Sequence, residues 1–309
     1  MLLPAGAARA QSVPLDELGV LPPPGSTQSP QLANIQNLLS AGRFDTAEKE
    51  LSAMAQRGFS EAEIDYWRGV LEMRRGNGYE AVRRLRRAQR RNDSPYTIES
   101  LALAYYSVGQ FHLFESFMLK TVQQLPSAFA PYYYLGRYYA SSGVADFARA
   151  RQHLVRSVEL NPSHFRSFYY LGFCHEAERH LDEAARAYEE SIRLAESEKH
   201  PFVLPYEGMA RILSLEDKFS LALRYASKAV AEAPRESDAH KTLAALYDRQ
   251  ERSEDAAREW EIVTALDPTD SSAQYRLFRI YTSLGKRDIA ARSLREFKRL
   301  AHLYGSANP

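Results

Sequence analysis

The chain has 309 residues, 45% of them hydrophobic, and carries 40 basic against 39 acidic side chains, a net charge of +1. That balance excludes a global field steering the protein toward nucleic acid or membrane, so any charged site must be local. The single cysteine, Cys174, excludes an internal disulfide framework, a thiolate metal cluster and a lipid-anchored amino-terminal cysteine.

Residues 1–10 read as a signal-peptide-like remnant. Leu2 to Ala7 is apolar, and Ala8-Arg9-Ala10 before Gln11 has the small-x-small form that a signal peptidase accepts. No charged region precedes it and the apolar run is short, so two readings stand: a signal whose start is missing, or an alanine-rich amino terminus. The first makes the protein exported, periplasmic or extracellular. Residues 11–27 hold Pro14, Pro22, Pro23, Pro24, Gly19 and Gly25 without periodicity, which describes a disordered, semi-rigid tether. No later run approaches the roughly 18 apolar residues that would span a bilayer.

From residue 28 the sequence repeats itself about every 34 residues. Leu135-Gly136 is followed by Tyr139, Leu171-Gly172 by His175 and Leu243-Ala244 by Tyr247, with Ala150, Ala184 and Ala256 about a dozen positions after each pair. Pro126, Pro162, Pro234 and Pro268 close units, and Pro201 is a displaced equivalent. Eight units follow: 28–61, 62–94, 95–128, 129–164, 165–202, 203–236, 237–270 and 271–304, with a tail at 305–309. Each reads as two antiparallel helices. The first offers a small residue for close approach at Gly69, Ala102, Gly136, Gly172, Ala210 and Ala244. The second offers Ala47, Ala81, Ala150, Ala184, Ala222, Ala256 and Ala290. Trp67, Tyr105, Tyr139, Leu154, Tyr188, Trp260 and Leu294 fill the space between. Gly42, Gly76, Gly109, Gly143 and Gly285 stand where the first helix must stop.

Departures are local. Phe114 takes the small second-helix position, Ile35 and Phe278 take the first-helix one in the terminal units, and extra residues fall near Val144-Ala145 and Glu196 to His200. The stretch from Glu196 to Pro205 is either a joint between a five-unit and a three-unit block or a longer turn.

Catalytic motifs fail on context. Gly76-Asn77-Gly78-Tyr79-Glu80-Ala81 matches a dinucleotide-binding glycine pattern, but that pattern needs a preceding strand and here a helix precedes it. His175-Glu176-Ala177-Glu178-Arg179-His180 has its histidines five apart, about 140° around a helix, not the four of a zinc-protease helix. His175 falls at the core ring position and is expected to be packed there. No enzyme activity, cofactor or metal is expected.

The repeat resembles the tetratricopeptide repeat (TPR) family, and the chain is similar to bacterial proteins built of such repeats alone. The resemblance implies an all-α, right-handed superhelical solenoid of about eight helix pairs, with about three quarters of the chain helical and strand near zero. It also implies a protein or peptide partner, bound as an extended segment in the concave groove lined by the first helices. The groove positions are then Tyr66, Arg74, Tyr96, Tyr106, Tyr133, Arg137, Arg166, Tyr169 and Phe173, unless those rings pack between neighbouring units. A second expectation concerns Arg83, Arg84, Arg86, Arg87, Arg90 and Arg91. Between Arg68 and Arg91 nine arginines face only Glu72 and Glu80. This helix, 82–91, is either a solvated face or a patch for anionic lipid headgroups, an acidic partner or a polyanion. Nucleic acid is not expected as a partner; contact with a membrane surface is left open.

Overall fold

The structure is a computed structural model that describes residues 29–141 and 143–304; the signal-like segment, the tether and the tail lie outside them. Helix accounts for 80% of the described residues, which contain sixteen helices and no strand. The chain divides into two compact units, at Pro162 and Ser163. The first holds α1 (Pro30–Ser40), α2 (Phe44–Gln56), α3 (Glu61–Arg74), α4 (Gly78–Arg91), α5 (Pro95–Ser107), α6 (Phe111–Gln124), α7 (Phe129–Ala140) and α8 (Phe147–Leu160). The second holds α9 (Phe165–Ala177), α10 (Leu181–Ser197), α11 (Leu204–Leu215), α12 (Phe219–Glu232), α13 (Ser237–Arg249), α14 (Ser253–Leu266), α15 (Ser271–Ser283) and α16 (Arg287–Tyr304). Odd-numbered helices are the first helices of their repeats and even-numbered ones the second, so each unit is a stack of four helix pairs.

Each pair closes because one helix lacks bulk where the other supplies it. A Cβ on Gly69 would fall 2.5 Å from Leu85 Cγ, and one on Gly136 would fall 2.5 Å from Leu154 Cγ. The seven alanines facing back from the second helices are at most 4% exposed. Trp67, Tyr105, Tyr139, Leu154, Tyr188 and Trp260 are buried as their spacing predicts. Leu294, expected among them, is half-buried. One pair cannot cover its own apolar faces, and stacking makes the core continuous. Helix starts are marked by Pro at α1, α5 and α11, and by side-chain caps from Ser94, Asp146 and Asp270.

The reversal inside each pair needs a left-handed residue. Gly42, Gly76, Gly109 and Gly285 supply it with φ between 67° and 81°, whereas Gly143 does not. In the fourth repeat the extra residues pass that conformation to Ala145 (φ 50°), and Arg179, Asp217 and Glu251 adopt it in the next three repeats. The boundary between compact units does not fall at 196–205. That stretch lies inside the second unit, where α10 runs to 17 residues and the rings of His200 and Phe202 pack on Phe165, each with centroids 5.0 Å apart.

Candidate functional site

The groove positions lie on first helices, α3, α5 and α7 in one unit and α9 in the other. Tyr66, Tyr106, Tyr133, Arg137, Tyr169 and Phe173 are buried, whereas Arg74, Tyr96 and Arg166 are half-buried. The buried rings serve as packing. The Tyr66 hydroxyl accepts from Ser100 Oγ on the next first helix (3.3 Å), and the Tyr106 ring meets Phe114 edge-on at 5.0 Å. Tyr169 packs against Tyr170, Tyr188 and Phe202 at 4.9, 5.9 and 5.5 Å. Arg166 lies over Phe165, its guanidinium 4.6 Å from the ring centre, and reaches His200 at 3.4 Å. Adjacent first helices come close enough for long side chains at these positions to bridge them.

The same bridging holds charged groups. In the second unit Arg211 on α11 donates twice to the Glu176 carboxylate on α9 (2.9 Å each), and Arg249 on α13 donates to Ser214 Oγ on α11 (2.6 Å). In the first unit Glu99 on α5 has no such bond. It is 2% exposed, and neither carboxylate oxygen has a hydrogen-bond partner among the described residues. Burial alone pushes its carboxyl up to about 8. Tyr96 and Leu103 share its helical stripe, at spacings of three and four residues.

The arginine cluster is largely spoken for. Arg84, Arg87 and Arg91 converge on Asp65 of α3 at 3.5, 3.1 and 2.8 Å, and Arg91 also meets Glu61 at 2.6 Å. Arg83 and Arg84 bind Glu80 at 2.7 and 2.8 Å, and with Arg83 contributing most they hold that carboxyl below its ordinary value. Arg86 donates to the Tyr105 hydroxyl at 2.7 Å. Among the described residues Arg90 is the one of the six with neither an ion pair nor a hydrogen bond. Asp65 was invisible to a local charge count because it lies about twenty positions upstream on the partner helix.

The glycine-rich turn at 76–78 is a packing device. Gly76 takes φ 81°, and a Cβ on Gly78 would fall 2.6 Å from Val108 Cγ1. His175 is half-buried, as is Tyr247 at the equivalent position two repeats on. In the second unit a cavity of about 480 Å³ is lined by Glu196, Lys199, His200, Phe202, Tyr206 and Lys228 among others. Two of its charged walls pair: Lys228 Nζ lies 2.5 Å from Glu196, which also accepts from the Tyr206 hydroxyl at 2.6 Å. No described helix is long and apolar enough to cross a membrane.

In each unit, stacked antiparallel pairs with small residues at each crossing define an α-solenoid of helix-turn-helix repeats. Residues 135–199 match the family model described as tetratricopeptide repeat. The fold of the chain is that of tetratricopeptide-repeat solenoids. Its fold is similar to that of Cut9-Hcn1, an APC/C hetero-tetramer, over 81% of this chain at TM-score 0.69 and 14% identity; the chain spans 48% of that one, about half its length. A tetratricopeptide repeat protein from Parabacteroides merdae matches 82% of this chain and 97% of its own, at TM-score 0.59 and 16% identity. Pseudomonas aeruginosa PilF matches over 70% and 95%, at TM-score 0.59 and 15% identity. These likenesses are of fold. Comparison with curated protein sequences yields no match. A tetratricopeptide fold supports a protein–protein interaction scaffold and partners that are proteins or peptides.

Proposed function

We propose that the chain is a non-enzymatic scaffold that binds an extended protein segment along the face of its first helices. The observation that carries this reading is that Tyr96 on the first helix α5 keeps part of its surface open, while the residues that follow it on that helix, from Thr97 to Tyr106, are buried. The half-buried Tyr96, Arg74 and Arg166 are residue types that carry binding energy at interfaces.

The alternative is an anionic-surface or polyanion binder working through α4. The convergence of Arg84, Arg87 and Arg91 on Asp65, with Glu61 and Glu80 beside it, offsets part of that charge and so weighs against it. Salt separates the two readings. With a partner captured from the native organism, affinity should change little between low and high salt; a steep loss would move the site to α4. We further propose export, on Ala8-Arg9-Ala10. Amino-terminal sequencing of native protein should find Gln11 first, and an intact Met1 in the cytoplasm would reject it.

A further inference from the structure

The turn between α9 and α10 gathers three metal-ligating side chains that the scaffold reading leaves unused. Helix α9 ends at Ala177, and Arg179 takes a left-handed backbone with φ 67°, so the chain reverses within three residues. The His180 amide donates to the His175 carbonyl (2.9 Å) and the Arg179 amide to that of Glu176 (3.0 Å). On a continuing helix, residues five apart diverge by about 140°. The reversal instead brings the His175 and His180 rings to 6.0 Å between centroids, with a Glu178 carboxylate oxygen 3.8 Å from His180 Nδ1. One donor atom from each of the three lies within 4.8 Å of the others. His175 and Glu178 are half-buried, and His180 is at the surface.

We propose that this turn binds one divalent transition-metal ion through His175, Glu178 and His180. Two imidazoles and one carboxylate suit Zn²⁺, Co²⁺, Ni²⁺ or Cu²⁺, whereas Ca²⁺ and Mg²⁺ take oxygen ligands. Metal–nitrogen bonds of about 2.0–2.1 Å require donors no more than about 4.2 Å apart. With the donors within 4.8 Å of one another, side-chain rotations closing less than about 1 Å bring the set into that range. Three protein ligands leave a fourth position for water or for a side chain of a bound protein. Because His175 closes one helix and His180 precedes the next, the ion would clamp a reversal that a non-glycine residue holds in a left-handed conformation, which is unfavourable by itself.

The test is titration of the metal-stripped full-length chain with Zn²⁺ by calorimetry, with Co²⁺ as a spectroscopic probe. The expected result is saturation at one ion per chain, a visible Co²⁺ spectrum of a nitrogen-containing low-coordinate site, and a higher melting temperature with metal. His180→Ala, at an exposed position that leaves folding intact, should weaken binding at least about tenfold, and Glu178→Gln should weaken it too. His302→Ala, on the exposed end of α16, should leave it unchanged. Zn²⁺ binding that stays within about twofold in His180→Ala and Glu178→Gln, or that never saturates, would overturn the proposal. Should His175→Ala unfold the chain, the other two variants still decide.

Discussion

Tyr188→Ala should destabilise the protein by about 3–5 kcal/mol in chemical denaturation, the range for removing a fully buried large ring. Tyr188 is 0% exposed, and its ring lies where two glycines leave room: a Cβ on Gly172 would fall 2.7 Å from Cδ1, and one on Gly208 would fall 2.5 Å from Cε2. One ring therefore ties α9, α10 and α11 together. Its hydroxyl donates to Glu176 at 2.6 Å. Burial, with the Glu176 carboxylate alongside, pushes the phenol well above its ordinary value, so it remains a donor. Tyr188→Phe removes only that bond and should cost about 1.5–3 kcal/mol, the range for a bond to a charged group. Gly208→Ala should cost about 1–3 kcal/mol by overpacking. In the Tyr188→Ala background the same methyl has space, so the double variant should lose less than the sum of the singles. Additive losses would mean that the ring and the glycine do not share the contact described.

The second large effect is a dependence on pH. Glu99 holds its proton in the folded state up to about 8, while the unfolded chain releases it near 4.5. Folding therefore takes up a proton between those values. The stability associated with this group is greatest below pH 4.5, falls by up to about 1.4 kcal/mol per pH unit, and levels off above pH 8. Glu99→Gln removes the titration. The variant should gain on wild type steadily across that window and be the more stable protein at pH 8, as urea midpoints measured at several pH values would show. A difference that does not change with pH would mean that Glu99 is paired or solvated.

Much of this was legible from spacing because the repeat geometry is local. Ala81, Ala150 and Ala184 fall twelve to fourteen residues after Gly69, Gly136 and Gly172, and the crossing of two helices joined by a short turn fixes both sets. What the sequence hid are contacts between neighbouring repeats and the conformation of single turn residues. Tyr66 reads as groove-facing by position, yet the closeness of α5 buries it against Ser100, thirty-four residues on. The six arginines read as either a solvated face or an anion patch, and no local signal shows that Asp65 pairs with three of them. Glycine at 143 marks a turn, but two extra residues hand the left-handed conformation to Ala145, which carries no local signal. Arg179 carries none either, and through it His175 and His180 meet.

The scaffold reading is tested most directly by placing a photo-cross-linking side chain at position 96 or at position 79 and identifying what each captures in the native cell. Tyr96 is half-buried on the first helix α5, and Tyr79 is 75% exposed on the arginine-rich α4. Position 96 should capture one protein, with adducts mapping to a contiguous extended segment of it, while position 79 should yield no specific product. Specific capture from position 79 with none from position 96 would contradict binding along the first helices.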